Sequence, residues 1–179
     1  MDSYYLSLMQ AYTAQVAIGH STLRNQGAPG VISTARAYLS EIDLGQFAAL
    51  LGEHEFKELL NKETKSLAER FPGAAKGNWG AARKAINIFL RDCLYNLYLS
   101  KMYSLQKLES WLELPLDRNV GTSLRKLLPK MVPNWGTIKC LTPEVSEQFQ
   151  AAAALYAKRQ NVCKVHLDIE FWRKDEKSK

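Results

Sequence analysis

A chain of 179 residues with 46% hydrophobic content can bury one core, or two small lobes that share a cleft. Its 24 Lys and Arg against 18 Asp and Glu leave a formal charge of +6, which suits a polyanion partner through counterion release without naming one. Cys93, Cys140 and Cys163 are too dispersed for a disulfide framework or a CxxC-type metal site, and no apolar run reaches the roughly 18–20 residues that cross a membrane.

The opening Met1-Asp-Ser-Tyr-Tyr5 lacks the basic start of a signal peptide, so a cytoplasmic protein with no membrane partner is expected. Leu6, Met9, Tyr12 and Val16 recur at helical spacing and predict a first helix. Gly27-Ala-Pro-Gly30 breaks the chain before a second, marked by Val31, Ile32, Ala35 and Leu39. Asp43 with Gln46 makes a capping-box start for Leu44, Phe47, Leu50 and Leu51; Phe56, Leu59, Leu60 and Leu67 mark a further helix that ends before Phe71-Pro-Gly73.

From Ala82 to Leu99 a long stripe of Ala82, Ala85, Ile86, Phe89, Leu90, Cys93 and Leu97 predicts a core helix, with Lys84 beside the stripe. Ser104 is placed to cap a helix through Leu105, Leu108, Trp111 and Leu112. Pro115 stops it, and Asp117 caps the next, with Val120, Leu124, Leu127 and Leu128 inward. Thr142 followed by proline opens a helix through Val145, Phe149, Ala153 and Tyr156. Val165, Leu167, Ile169 and Phe171 alternate with polar residues at the period of a strand. A lone strand in a helical chain would have no ladder partner, so a helix is expected there. The reading is an all-α chain with one domain over 1–172 and a charged tail over 173–179.

Three short blocks carry a resemblance: Gly80-Ala-Ala-Arg-Lys-Ala-Ile-Asn-Ile-Phe-Leu90, Leu114-Pro-Leu-Asp-Arg-Asn-Val120 and Val165-His-Leu-Asp-Ile-Glu-Phe-Trp172. Over roughly Gly80 to Trp172 the chain resembles the helix-hairpin-helix DNA glycosylase/lyases, most closely the archaeal 8-oxoguanine glycosylase branch. The cysteine spacing sets it apart from the cluster-bearing glycosylases. The resemblance implies two small helical lobes around a cleft, no cofactor, and a nucleoid-associated protein acting on double-stranded DNA with a modified base. It makes Lys84 the nucleophile and Asp117 its supporting carboxylate, thirty-three positions later, and it puts Asp168 and Trp172 in the pocket of the flipped base. The chain departs from that family at Ile88, where an aromatic stands, in Arg118-Asn-Val-Gly121, in a shorter N-terminal region, and in lacking the Leu-Pro-Gly-x-Gly wording of the hairpin.

Each of these residues also has an ordinary reading. A helical lysine is most often a solvated charge, whereas partial burial would depress the pKa of Lys84 and free its amine to attack a sugar carbon. Asp117 suits an N-cap, and a carboxylate fixed there can also stabilise positive charge on a sugar as the base leaves. Gly77-Asn-Trp-Gly80 is either a surface loop or a hairpin whose amides hold a phosphate, with Lys76, Arg83 and Arg118 as further backbone contacts. Asp168 and Trp172, four apart, share a helical face and suit hydrogen bonding and stacking to a purine, or an exposed acid beside a core ring. These residues suit two functions: a bifunctional glycosylase/AP lyase for an oxidised purine, or a non-catalytic relative that binds nucleic acid, nucleotide or protein as an accessory component of a bacterial anti-phage defence operon.

Overall fold

The computed structural model describes residues 2–176, with side chains through Phe171. Among these residues every regular element is helical: α1 (Ser3–Ala17), α2 (His20–Leu23), α3 (Val31–Glu41), α4 (Leu44–Ala49), α5 (Glu53–Arg70), α6 (Trp79–Tyr95), α7 (Leu97–Met102), α8 (Arg118–Leu127), α9 (Pro143–Gln160) and α10 (Leu167–Glu176). Short 3₁₀ turns at Gly73–Ala75, Leu105–Leu108, Ile138–Cys140 and Lys164–His166 join them. No described helix is long and apolar enough to cross a membrane.

The starts of these helices follow their capping chemistry. Asp43 accepts a hydrogen bond from Gly45 N and Gln46 donates to its other oxygen, Thr142 accepts from Val145 N ahead of Pro143, and Asn78 accepts from Ala81 N. The closing segment is a helix, as the want of a ladder partner requires, and it runs from Leu167 to Glu176.

Apolar side chains gather into two clusters. The first draws on α1 to α7 and extends to Leu112, with Val165 added; the second runs from Leu114 through α8 and α9 to Leu167 and Phe171. Glu113 stands at the changeover. Helix α6 packs against α1, α3, α5 and α7, and an unbroken run from Gly80 to Asn87 is buried around its whole circumference. That central position takes Lys84 out of solvent.

Several expected details are corrected. In α1 the inward residues are Leu6, Gln10, Thr13, Ala14 and Ala17, while Tyr12 and Val16 face out. Small side chains permit close approach to α3, and Gln10 donates to the carbonyls of Leu39 and Ile42 at the open end of that helix. Leu51 is 87% exposed because α4 stops at Ala49. The long stripe ends early: Asn96 closes α6 with its amide and opens α7 with its side chain, accepting from Tyr98 N and Leu99 N, which turns Leu97 outward. Ser104 caps nothing; it adopts a left-handed conformation, φ 49°, and the chain continues as a 3₁₀ turn ending at Leu108. Leu127, expected inward, is 40% exposed.

Candidate functional site

The approach to α6 is built by Gly77 and Asn78. Gly77 has φ 78°, a conformation glycine adopts without strain, and Asn78 both caps α6 and donates to Gln26 Oε1 at 3.0 Å, tying the α2–α3 connection to the helix start. One residue into α6, Gly80 lies against the carbonyl of Ile138 so closely that a Cβ would stand 2.1 Å from that oxygen. The missing side chain therefore brings the segment before α9 onto the first turn of α6.

Lys84 follows one turn later, with 7% of its side chain exposed. Its amine is 3.5 Å from Oδ2 of Asp117, whose Oδ1 accepts from Asn119 N and Val120 N at 2.9 Å each. One oxygen of the carboxylate thus caps α8 and the other faces the lysine. The two ordinary readings separate here: Asp117 is an N-cap, and Lys84 is not a solvated charge. Burial holds the Lys84 pKa below its usual value, Asp117 and then Asp168 oppose that shift, and Arg24 adds to it as a like charge.

A pocket of about 540 Å³ opens over this pair. Its wall joins Lys84 with Asp117, Arg118 and Asn119 of the α8 start, Ser21 to Gln26 without Leu23, and Gly136 to Lys139. Arg24, Lys84, Arg118 and Lys139 face it against the one carboxylate of Asp117, so it favours an anion. Arg24, Gln26 and Lys139 were not anticipated. Arg24 and Gln26 lie on irregular chain and Lys139 in the three-residue 3₁₀ turn Ile138–Cys140, too short to show a period, and only the polar run Ser21-Thr-Leu-Arg-Asn-Gln26 hints at a functional loop.

Other expected site residues fall elsewhere. Arg83, expected at a phosphate, does not line the pocket beside Lys84: successive helical residues diverge by about 100°, and Arg83 points away from Lys84. There it pairs with Glu113 through Nε to Oε2 at 2.9 Å and Nη2 to Oε1 at 3.0 Å, donates to Thr64 and lies over the Trp79 ring. Asn87 donates to the same Glu113 oxygen. Gly80, also expected at a phosphate, is buried against the Ile138 carbonyl and does not line the pocket. Lys76 and Gly77 are exposed, and neither they nor Asn78 line the pocket.

Asp168 is close enough to Lys84 to raise its pKa, yet it does not line the pocket; it forms an ion pair with Arg91, which also bonds Asp92. Burial pushes the Asp168 carboxyl above its usual range while Arg91 pulls it down. The neighbouring His166 bridges Tyr95 and Glu109, at 2.7 and 2.6 Å. The Trp172 side chain lies outside the described residues.

Comparison of the chain with protein-family models, curated proteins and solved structures finds no match.

Proposed function

We propose that the chain is a DNA N-glycosylase with AP-lyase activity, built on a helix-hairpin-helix-like arrangement whose two clusters flank the pocket, and that it excises an oxidised or modified purine, 8-oxoguanine first among them. The observation that carries this reading is the Lys84 and Asp117 pair: a buried amine of lowered pKa, 3.5 Å from a fixed carboxylate, at the wall of a cationic pocket. The neutral amine attacks C1′ as the base departs with the electrons of the glycosidic bond. Loss of a proton and ring opening give an imine between Lys84 and the sugar, and abstraction of a C2′ proton then expels the 3′ phosphate. Asp117 offsets the positive charge that builds on the sugar while the base leaves. Arg24, Arg118 and Lys139 suit the flanking phosphates; Asp168, outside the pocket lining and paired with Arg91, would accept from the flipped purine only by giving up that partner.

Borohydride reduction tests the reading. Incubated with duplexes carrying a panel of modified bases and with an abasic duplex, the protein should be trapped covalently on DNA, and Lys84→Gln, checked for retained helicity, should abolish trapping. Undiminished trapping by the variant would assign the imine to another amine. Absence of trapping and of base release across the panel would withdraw the enzyme and leave the binding protein.

A further inference from the structure

From Ser3 to Leu23 the chain carries no Lys, Arg, Asp or Glu, in a protein of which 23% is charged. Within that stretch Tyr4 is 61% exposed, Tyr5 57%, Leu8 46%, Tyr12 70% and Val16 61%. At 100° per residue these five fall within an arc of about 120°, on the side of α1 away from Leu6, Gln10, Thr13, Ala14 and Ala17, which pack inward. Helix α7, which abuts α1, adds Tyr98 and Met102, a turn apart and both more than half exposed. None of these residues lines the pocket beside Lys84.

We propose that this outer face of α1 is the contact surface of a homodimer, in which two α1 helices pack antiparallel about a two-fold axis near Leu8 and Tyr12. With roughly 200 Å² for a fully exposed large side chain, the seven residues present on the order of 800 Å², the share that each partner contributes to a standard stable interface. The composition suits that use, since interface centres are rich in tyrosine and methionine and poor in charge. A second copy is favoured over other occupants by the charge pattern. Two chains of +6 repel least where they meet with little charge, and the α1 part of this face carries none, while α7 adds the exposed Lys101 beside Tyr98 and Met102. An anionic partner would find no cation on α1, and a helix lying in a membrane interface would carry Lys or Arg along its polar side, of which α1 has none. Pairing like with like also closes the assembly, because a two-fold contact uses the same patch on both copies.

Sedimentation equilibrium of the full chain from about 1 to 100 µM is the test. The expected mass rises from one chain to two across that range, and Leu8→Glu/Tyr12→Glu, which sets two like charges against each other at the axis, should weaken the dimer at least about tenfold. Both positions are solvent-exposed in one copy, so helicity should persist; if it does not, Tyr12→Ser is read in its place. Borohydride trapping by the monomeric variant should match the wild type. A single-chain mass at every concentration would overturn the proposal, as would a dimer indifferent to the folded variants. Co-sedimentation of a persistently monomeric protein with neutral or anionic lipid vesicles would overturn it in favour of a membrane-facing helix.

Discussion

Replacing Gly80 with alanine asks whether the segment over the pocket is seated by that glycine. In a helix the change alone adds up to about 1 kcal/mol of stability. Here the new Cβ would meet Ile138 O at 2.1 Å and Leu141 Cβ at 2.8 Å, against 3.4 Å or more for ordinary contact. A backbone carbonyl cannot rotate aside as a side-chain tip can, so the whole turn Ile138–Cys140 must withdraw by roughly 1 Å, at an overpacking cost of about 1–3 kcal/mol. The expected net effect is a loss of about 1–2 kcal/mol, seen as a lower urea midpoint at unchanged slope and a melting temperature down by about 2–8 °C. Gly121→Ala supplies the comparison: its Cβ would crowd the Trp135 ring, at 2.7 and 2.8 Å, a side chain rather than backbone, so the variant should cost less. Because Gly136 to Lys139 border the pocket, Gly80→Ala should also weaken trapping on DNA. A Gly80→Ala protein as stable as the parent, or more so, would show that the segment yields freely and that Gly80 seats nothing.

Four further outcomes are expected. Asp117→Asn keeps the capping oxygen but removes the charge, so folding should survive while base release in single turnover falls about a hundredfold or more; because Asp117 raises the Lys84 pKa, the variant should trap on a preformed abasic site at lower pH than the parent. Arg24→Gln removes a like charge from Lys84, so the rise of imine trapping with pH, followed at saturating DNA, should move towards alkaline pH. Asp168→Asn should lower base excision roughly ten- to a hundredfold and abasic-site cleavage much less, as measured on one duplex; equal losses would remove Asp168 from base recognition. Burial and the Glu63 hydrogen bond push the Tyr38 pKa up to about 12, so the native state holds a proton that the unfolded chain loses near pH 10. The stability it contributes is full below pH 10 and declines as pH rises through about 12, by on the order of 1 kcal/mol after solvent screening, and urea titrations of Tyr38→Phe should show a flatter decline.

What could be read from the chain came from local chemistry. Thr142-Pro143, Asp43 and Asp117 announced helix starts because a capping side chain acts within three residues of its target. The stripe from Ala82 to Cys93 was legible because α6 is long enough to show its period. The inward face of α1 was not, since a glutamine reaching the α3 carbonyls and alanines at close approach outrank tyrosines only in the presence of α3. Asn96 hid a break because asparagine inside a periodic run reads as a polar position until its side chain is seen bonding two amides. In the site, Lys84 and Asp117 could be named from short blocks. Arg24, Gln26 and Lys139 could not, for the fold alone brings their segments together, and Arg83 lies away from the pocket because adjacency in sequence to Lys84 means divergence on a helix.

The contact between Arg83 and Glu113 sits where one apolar cluster gives way to the other, with side chains 7% and 9% exposed. Loss of either partner alone strands a charge out of water, typically at about 3–5 kcal/mol, whereas joint replacement by apolar groups can be neutral or better. Divergence at these two positions is therefore a valley that single steps do not cross. Descendants of a common ancestor should carry both residues or neither, and positions 83 and 113, thirty apart in sequence, should change together when distant relatives are aligned. That correlated signature offers a way to find kin of this chain that does not depend on Lys84, Asp117 or any shared activity.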